Sequence, residues 1–138
     1  MIIVVPARGG SKRVPLKNIH SLMGKPLLTY TLEAISESRL CIPTYVSTDN
    51  HQIASLARSY PGIEVLIRPQ NISHDNATTE SALLHVLDIV TASGKKPKWL
   101  MTLPPTSPFR SPETIRKFAE EAMSCENSID SLMSVTEN

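Results

Sequence analysis

The sequence predicts an α/β protein, a three-layer α/β/α sandwich around a mostly parallel sheet. Two observations predict it: short β-branched runs alternate with segments of helical apolar spacing, and the first run, Ile2-Ile3-Val4-Val5, is continuously apolar. A run without polar alternation suits a strand buried on both faces, which is the habit of parallel sheets. Strands separated by helices pair in parallel through crossovers.

Each element has its own justification. After Ile2–Val5, residues 26–39 place Leu28, Leu32, Ile35 and Arg39 at helical spacing, with Pro26 suited to a first turn. "TYVSTD" (44–49) reads as a second strand. Ile53, Leu56, Ala57 and Tyr60 then fall on one helical face, stopped by Pro61-Gly62. "IEVLIR" (63–68) is a third strand, followed by a polar loop. The next helix carries Leu83, Leu84, Leu87 and Val90 as its inward residues, with Gly94 closing it. "KWLMTL" (98–103) is a fourth strand, and "PPTSPFR" a rigid loop. Ser111, Pro112 and Glu113 start a helix well, as cap, first-turn proline and acid beside the positive end. Ile115, Phe118, Ala119 and Ala122 form its buried face, and "DSLMSVT" (130–136) is expected as a fifth strand.

Bulk composition narrows the function. A chain of 138 residues with 41% hydrophobic and 20% charged residues is an ordinary globular domain. Net charge is +1 but unevenly placed. Arg8, Lys12, Arg13 and Lys17 crowd one loop with no acid among them, while the other ten basic residues face thirteen acidic ones. This points to a local anion site rather than a basic coat, and argues against a nucleic-acid partner. No apolar stretch reaches the ~20 residues that cross a bilayer, so no membrane partner is expected. The N-terminal run lacks the layout of a signal peptide. Cys41 and Cys125 are far apart and read as free thiols, so a cytoplasmic protein is expected.

In open parallel sheets ligands bind beyond the carboxyl ends of the strands. That rule collects the basic loop, "STDN", "RPQNISHDNATT" and "PPTSPFR" on one rim. Gly9 and Gly10 let backbone approach a ligand closely, Ser11 adds a hydroxyl, and Arg8, Lys12 and Lys17 supply charge. The loop matches neither GxxxxGK[ST] nor GxGxxG, so spacing alone leaves a solvated basic turn as an alternative. Asp49 or Asn50 is expected to cap the following helix, with a ligand-facing Asp49 as the alternative. Thr78, Asn76 or Asp75 is the cap expected for the helix after "RPQNISHDNATT". His20, His51, His74 and His85 show no metal-ligand spacing, and no serine sits in GxSxG, so nothing suggests covalent catalysis.

The ordered set "PARGGSKRVPLKNI", "GKPLLTYTLEAI", "YVSTDN", "VLIRP", "SHDNATT", "TLPPTSPFRSPETI" and "DSLMSV" resembles the acylneuraminate cytidylyltransferases, the CMP-sialic acid and CMP-nonulosonate synthetases. The resemblance covers essentially the whole chain. It implies a Rossmann-like nucleotidyltransferase fold, with residues 1–138 as a CTP-binding domain forming the N-terminal portion of a longer family domain. It further implies transfer of CMP from CTP to a nonulosonic acid, with release of pyrophosphate and help from Mg²⁺. By motif position, Arg8, Ser11 and Lys12 would hold the triphosphate in a loop whose Ala7, Gly9 and Gly10 also bind the nucleotide, Lys17 would assist at the phosphates, and Asn18 would contact the ribose or phosphate region. Arg8, Lys12 and Lys17 would neutralise charge in the transferring phosphates. Arg68 and Thr79 would read the cytosine, with Ala77 giving a backbone contact. The metal-binding aspartates and a homodimer-forming element belong to later segments of longer family members, so no metal ligand is assigned here. Pro104 stands where the family commonly has Gln, and proline offers neither a side-chain donor nor an N–H. A nucleotidyltransferase for another sugar and a non-catalytic nucleotide-binding module are the alternatives.

Overall fold

The computed structural model describes residues 1–11, 14–73, 77–125 and 128–135. Four strands form its main sheet: β1 (Ile2–Pro6), β4 (Thr44–Thr48), β5 (Ile63–Ile67) and β6 (Leu100–Thr102), in the order β5-β4-β1-β6. Every pairing in that sheet is parallel, with Val4 opposite both Tyr45 and Thr102. β1 therefore lies inside the sheet, as its unbroken apolar run requires, and Ile2–Val5 are buried.

Alternation along the strands sorts side chains to two faces. Ile3, Val5 and Val46 pack with Leu28 and Leu32 of α1 (Leu27–Ser38), Ile53 and Ala57 of α2 (His51–Arg58), and Ile115 and Ala119 of α4 (Pro112–Ser124). Ile2, Val4 and Tyr45 face the opposite way, against Val86 and Val90 of α3 (Thr79–Ala92). The result is the expected three-layer sandwich, with three helices on one face and one on the other. Among the described residues no helix is long and apolar enough to cross a membrane, and Cys41 and Cys125 are free thiols.

Caps follow local chemistry. Asn50 Oδ1 accepts from the N–H groups of Gln52 and Ile53 and starts α2. Thr78 Oγ1 accepts from Ser81 N and starts α3, and Ser111 Oγ from Thr114 N, ahead of Pro112, starts α4. Pro26 sits just outside α1 rather than in its first turn, because it closes a small hairpin of β2 (Ser21–Leu22) and β3 (Lys25–Pro26). That hairpin turns through Met23 (φ 50°) and Gly24 (φ 88°), a two-residue turn with both centres left-handed.

Further expectations need correction, among them Tyr60, which lies beyond the end of α2 rather than on its face. α1 ends at Ser38, and Arg39 adopts the left-handed conformation as its C-cap (φ 55°) instead of extending the helical face. Leu84 is not inward: it is 58% exposed, because α3 buries the stripe Ala82, Val86 and Val90 at spacing of four. Residues 130–135 form no strand. They run beside α4 and β6, Leu132 near Trp99 and Phe118, Ser134 near Thr102 and Arg110. Met133 and Val135 are both 82% exposed there. Alternation alone does not make a strand; a ladder of backbone partners does, and none is formed among the described residues of this segment, residue 136 of the expected strand lying outside them.

Candidate active site

The chain adds β4 and β5 on one side of β1 and then returns to place β6 on the other, so strand order reverses between β1 and β6. Loops at the carboxyl ends of such strands form a crevice. Here the crevice is a cavity of about 260 Å³. Pro6, Arg8, Gly10, Ser11, Lys17 and Asn18 line one wall, Pro104, Pro105 and Thr106 another, and Arg68 with Ala77, Thr78 and Thr79 the third.

The basic loop is fastened at three points. Ala7 N donates to Ser47 O at 2.9 Å, continuing the parallel ladder one step past β1. Gly9 N donates to Asp49 Oδ1 at 2.7 Å. Asn18 Nδ2 donates to Arg8 O at 2.8 Å, drawing the end of the loop back over its start. Leu16 makes that return possible with a left-handed backbone (φ 50°) just before the short 3₁₀ turn Lys17–Ile19. Lys17 and Arg8 thus reach one cavity although eight residues separate them.

Gly9 has a steric duty. A Cβ on it would lie 2.7 Å from Asn50 Cβ, closer than such atoms approach. Gly9 and the buried Ala7 support the loop from below rather than facing the cavity, whereas Gly10 and Ser11 line it. Ser11 Oγ accepts a long 3.5 Å contact from Val14 N. Lys12, expected at the phosphates, lies outside the described residues.

Arg68 follows β5 and is only 7% exposed. Its N–H donates to Thr48 O at 2.8 Å. Its side chain donates twice to one residue of β4, Nε to Ser47 Oγ at 2.8 Å and Nη2 to Ser47 O at 3.0 Å. Burial pulls the guanidinium below the usual arginine range; Asp49 draws it back up and Arg8 pushes it down. Arginine has margin enough to stay charged at neutral pH. Beside it, Ala77 and Thr78 lead into α3, and Thr79 is the helix's first residue.

The structure thus brings Arg8, Gly10, Ser11, Lys17, Asn18, Arg68, Ala77 and Thr79 around one cavity. Residues 7–18 had signalled themselves by charge and glycine. Ser47 had no such signal, and Asp49 proves to be a backbone clamp on the loop while Asn50 does the capping. Among the described residues no three His, Cys, Asp or Glu side chains gather to hold a metal ion. Asp49, the carboxylate at this rim, already has Oδ1 committed to Gly9. The described side chains therefore supply no ready-made cluster of acidic ligands for a magnesium ion.

A parallel sheet whose strand ends enclose two loop cations and a buried arginine defines an α/β protein with a cationic crevice at its switch point. The chain belongs to the cytidylyltransferase family, whose model matches residues 2–138. It is 41% identical over 124 residues to the CMP-N,N'-diacetyllegionaminic acid synthase of Legionella pneumophila, covering 87% of this chain and 52% of that protein. It is 39% identical over 110 residues to the N-acylneuraminate cytidylyltransferase of Escherichia coli, covering 80% of this chain and 25% of that protein. The chain thus spans about half, or less, of the length of these relatives. In fold it is similar to a CMP:2-keto-3-deoxy-manno-octonic acid synthetase complexed with CTP, at TM-score 0.71 and 20% identity, covering 89% of this chain and 47% of that one. A cytidylyltransferase from Leptospira borgpetersenii is similar at TM-score 0.65 and 18% identity, covering 92% of this chain and 49% of that one.

Proposed function

We propose that this chain is the CTP-binding part of a CMP–nonulosonic acid synthetase. The observation that carries the reading is the cavity itself: three cations, Arg8, Lys17 and Arg68, line it together, and the Arg68 guanidinium is fixed by Ser47. A triphosphate against the first wall gives Arg8, Gly10, Ser11 and Lys17 a polyanion to neutralise. The base then lies toward Arg68, Ala77 and Thr79. The acceptor sugar's hydroxyl oxygen attacks the α-phosphorus, the bond from that phosphorus to the βγ unit breaks, and pyrophosphate leaves while the hydroxyl proton passes to solvent. Chemistry of this kind is mostly positioning and charge neutralisation, which is what the loop offers. The family supports CTP as donor and the named relatives support a nonulosonic acid as acceptor. A cytoplasmic setting fits the two free thiols. Magnesium and a homodimer of the longer protein rest on the family resemblance alone.

The test is a calorimetric titration of the chain with CTP, UTP and ATP, followed by pyrophosphate release from CTP with a panel of nonulosonic acids and Mg²⁺. Selective CTP binding is the expected result for a CTP-binding part, and acceptor-dependent release would place the catalytic groups in this chain as well. Selective binding without release from any acceptor favours a nucleotide-binding module for this chain by itself. Equal binding of all three nucleotides would overturn the reading at its base.

A further inference from the structure

Ser47 lies buried in β4, and its two oxygens hold two nitrogens of the same guanidinium. We propose that Ser47 is the positioning residue that sets cytosine-over-uracil selectivity, by fixing the plane of Arg68. The inference rests on the CTP reading above and concerns how its base is told from others.

A guanidinium has five N–H donors in a rigid plane. With Nε–H given to Ser47 Oγ and one Nη2–H to Ser47 O, rotation of the fork is blocked and three donors remain, two on Nη1 and one on Nη2. The Arg68 backbone is pinned as well, through its N–H to Thr48 O. Ser47 O is itself held by the ladder, since Ala7 N donates to it at 2.9 Å. The fork is thus referred to the sheet rather than to a mobile loop.

The free edge of a fork offers parallel donors, which match two adjacent acceptors. Cytosine has such a pair in O2 and N3, whereas uracil carries a hydrogen on N3 and would set donor against donor. In a site this buried an unpaired polar group is penalised heavily, so orientation becomes discrimination. Without Ser47 Oγ the fork could turn to find the carbonyl oxygens of uracil, and the penalty would fall.

The experiment measures CTP and UTP dissociation constants for the parent chain, Ser47→Ala, Ser47→Thr, Arg68→Ala and Ser47→Ala/Arg68→Ala, each with a thermal melt. Ser47→Ala is expected to lower the CTP/UTP preference about tenfold, the worth of one charge-assisted hydrogen bond used for orientation. Ser47→Thr, which keeps the hydroxyl, should restore it. In the Arg68→Ala background Ser47→Ala should change the ratio no further, because its influence passes through the guanidinium. If Ser47→Ala does not fold, Ser47→Cys keeps the volume with a poor acceptor and should show the same loss. An unchanged ratio in the folded variant, or an equal drop in the Arg68→Ala background, overturns the inference while leaving CTP binding intact. A parent that binds CTP and UTP alike overturns the functional reading first, and this inference with it.

Discussion

Gly9→Ala should disable the loop through a collision visible in the geometry. The new Cβ would stand 2.7 Å from Asn50 Cβ, 3.0 Å from Nδ2 and 3.2 Å from Cγ. Asn50 cannot step aside freely, because Oδ1 holds the Gln52 and Ile53 N–H groups at 2.9 and 3.1 Å. Its own N–H donates to Thr48 Oγ1 at 3.1 Å. If Asn50 yields, the cap of α2 is lost, about 1 kcal/mol. If the loop lifts instead, the bond from Gly9 N to the Asp49 carboxylate goes, about 1.5–3 kcal/mol. Either route destabilises the fold by about 1–3 kcal/mol, within the range for overpacking. For a domain of this size that lowers Tm by roughly 3–10 °C. Urea unfolding gives the stability, and a CTP titration on the same samples should show at least about tenfold weaker binding, since Arg8 and Gly10 move with Gly9. Asn50→Gly supplies the control: it removes the Cβ that is struck, and glycine caps only a few tenths of a kcal/mol less well than asparagine. Gly9→Ala should then cost well under about 1 kcal/mol in that background and recover most of the affinity. Equal cost in both backgrounds would refute the collision as the cause.

Other changes separate binding from folding. Lys17→Ala should weaken CTP binding about 10–100-fold by calorimetry and flatten its salt dependence, while leaving urea stability within about 0.5 kcal/mol. On α3, Val86→Ala should cost about 2 kcal/mol in chemical denaturation, from two buried methyls and the space they leave, whereas Leu84→Ser should change little. Glu113 is held below its ordinary 4.5 by a hydrogen bond from Lys117 and by that residue's charge. Its folded pKa lies below the unfolded one, so its stabilisation is complete above 4.5 and fades as pH falls through the lower folded value. Stability measured across that acid range should therefore decline less steeply in Glu113→Gln.

The sequence declared what short-range patterns control. Ile2–Val5 announced a two-sided strand, and Ser111-Pro112-Glu113 announced a helix start; both stand in the structure. The glycine pair and the cations of residues 8–18 singled out the loop that lines the cavity for the same reason, since the cause of their crowding is local. Register on a helix was less legible. Leu83, Leu84 and Leu87 are all apolar, so composition could not say which stripe the sheet takes, and α3 settles on Ala82, Val86 and Val90. The stretch 130–135 has the look of a strand, but a strand needs a partner that no local pattern supplies. The hairpin at Met23-Gly24 escaped for the opposite reason, its turn being two residues long without the usual Asn-Gly. Ser47 was the least visible of all: its tie to Arg68 spans twenty-one residues, and a lone serine in a strand advertises nothing.

These long-range ties give the end of β4 a role that its four residues "STDN" do not suggest when read as a helix cap. Ser47 holds Arg68, Thr48 O receives the Arg68 N–H and Thr48 Oγ1 the Asn50 N–H, Asp49 clamps Gly9, and Asn50 both caps α2 and fills the space beneath Gly9. Among the residues that line the cavity, none of the four is included. The turn acts from behind the cavity, holding the loop around Arg8 and Gly9 and the Arg68 guanidinium at a fixed separation. If the cavity holds CTP as proposed, the nucleotide has to satisfy both at once, and triphosphate and base would be recognised as a unit. Double substitutions across the turn, Asp49→Asn with Ser47→Ala, should accordingly weaken CTP binding by less than the product of their separate effects if either change alone already lets the two halves drift. Independent walls would instead give the full product.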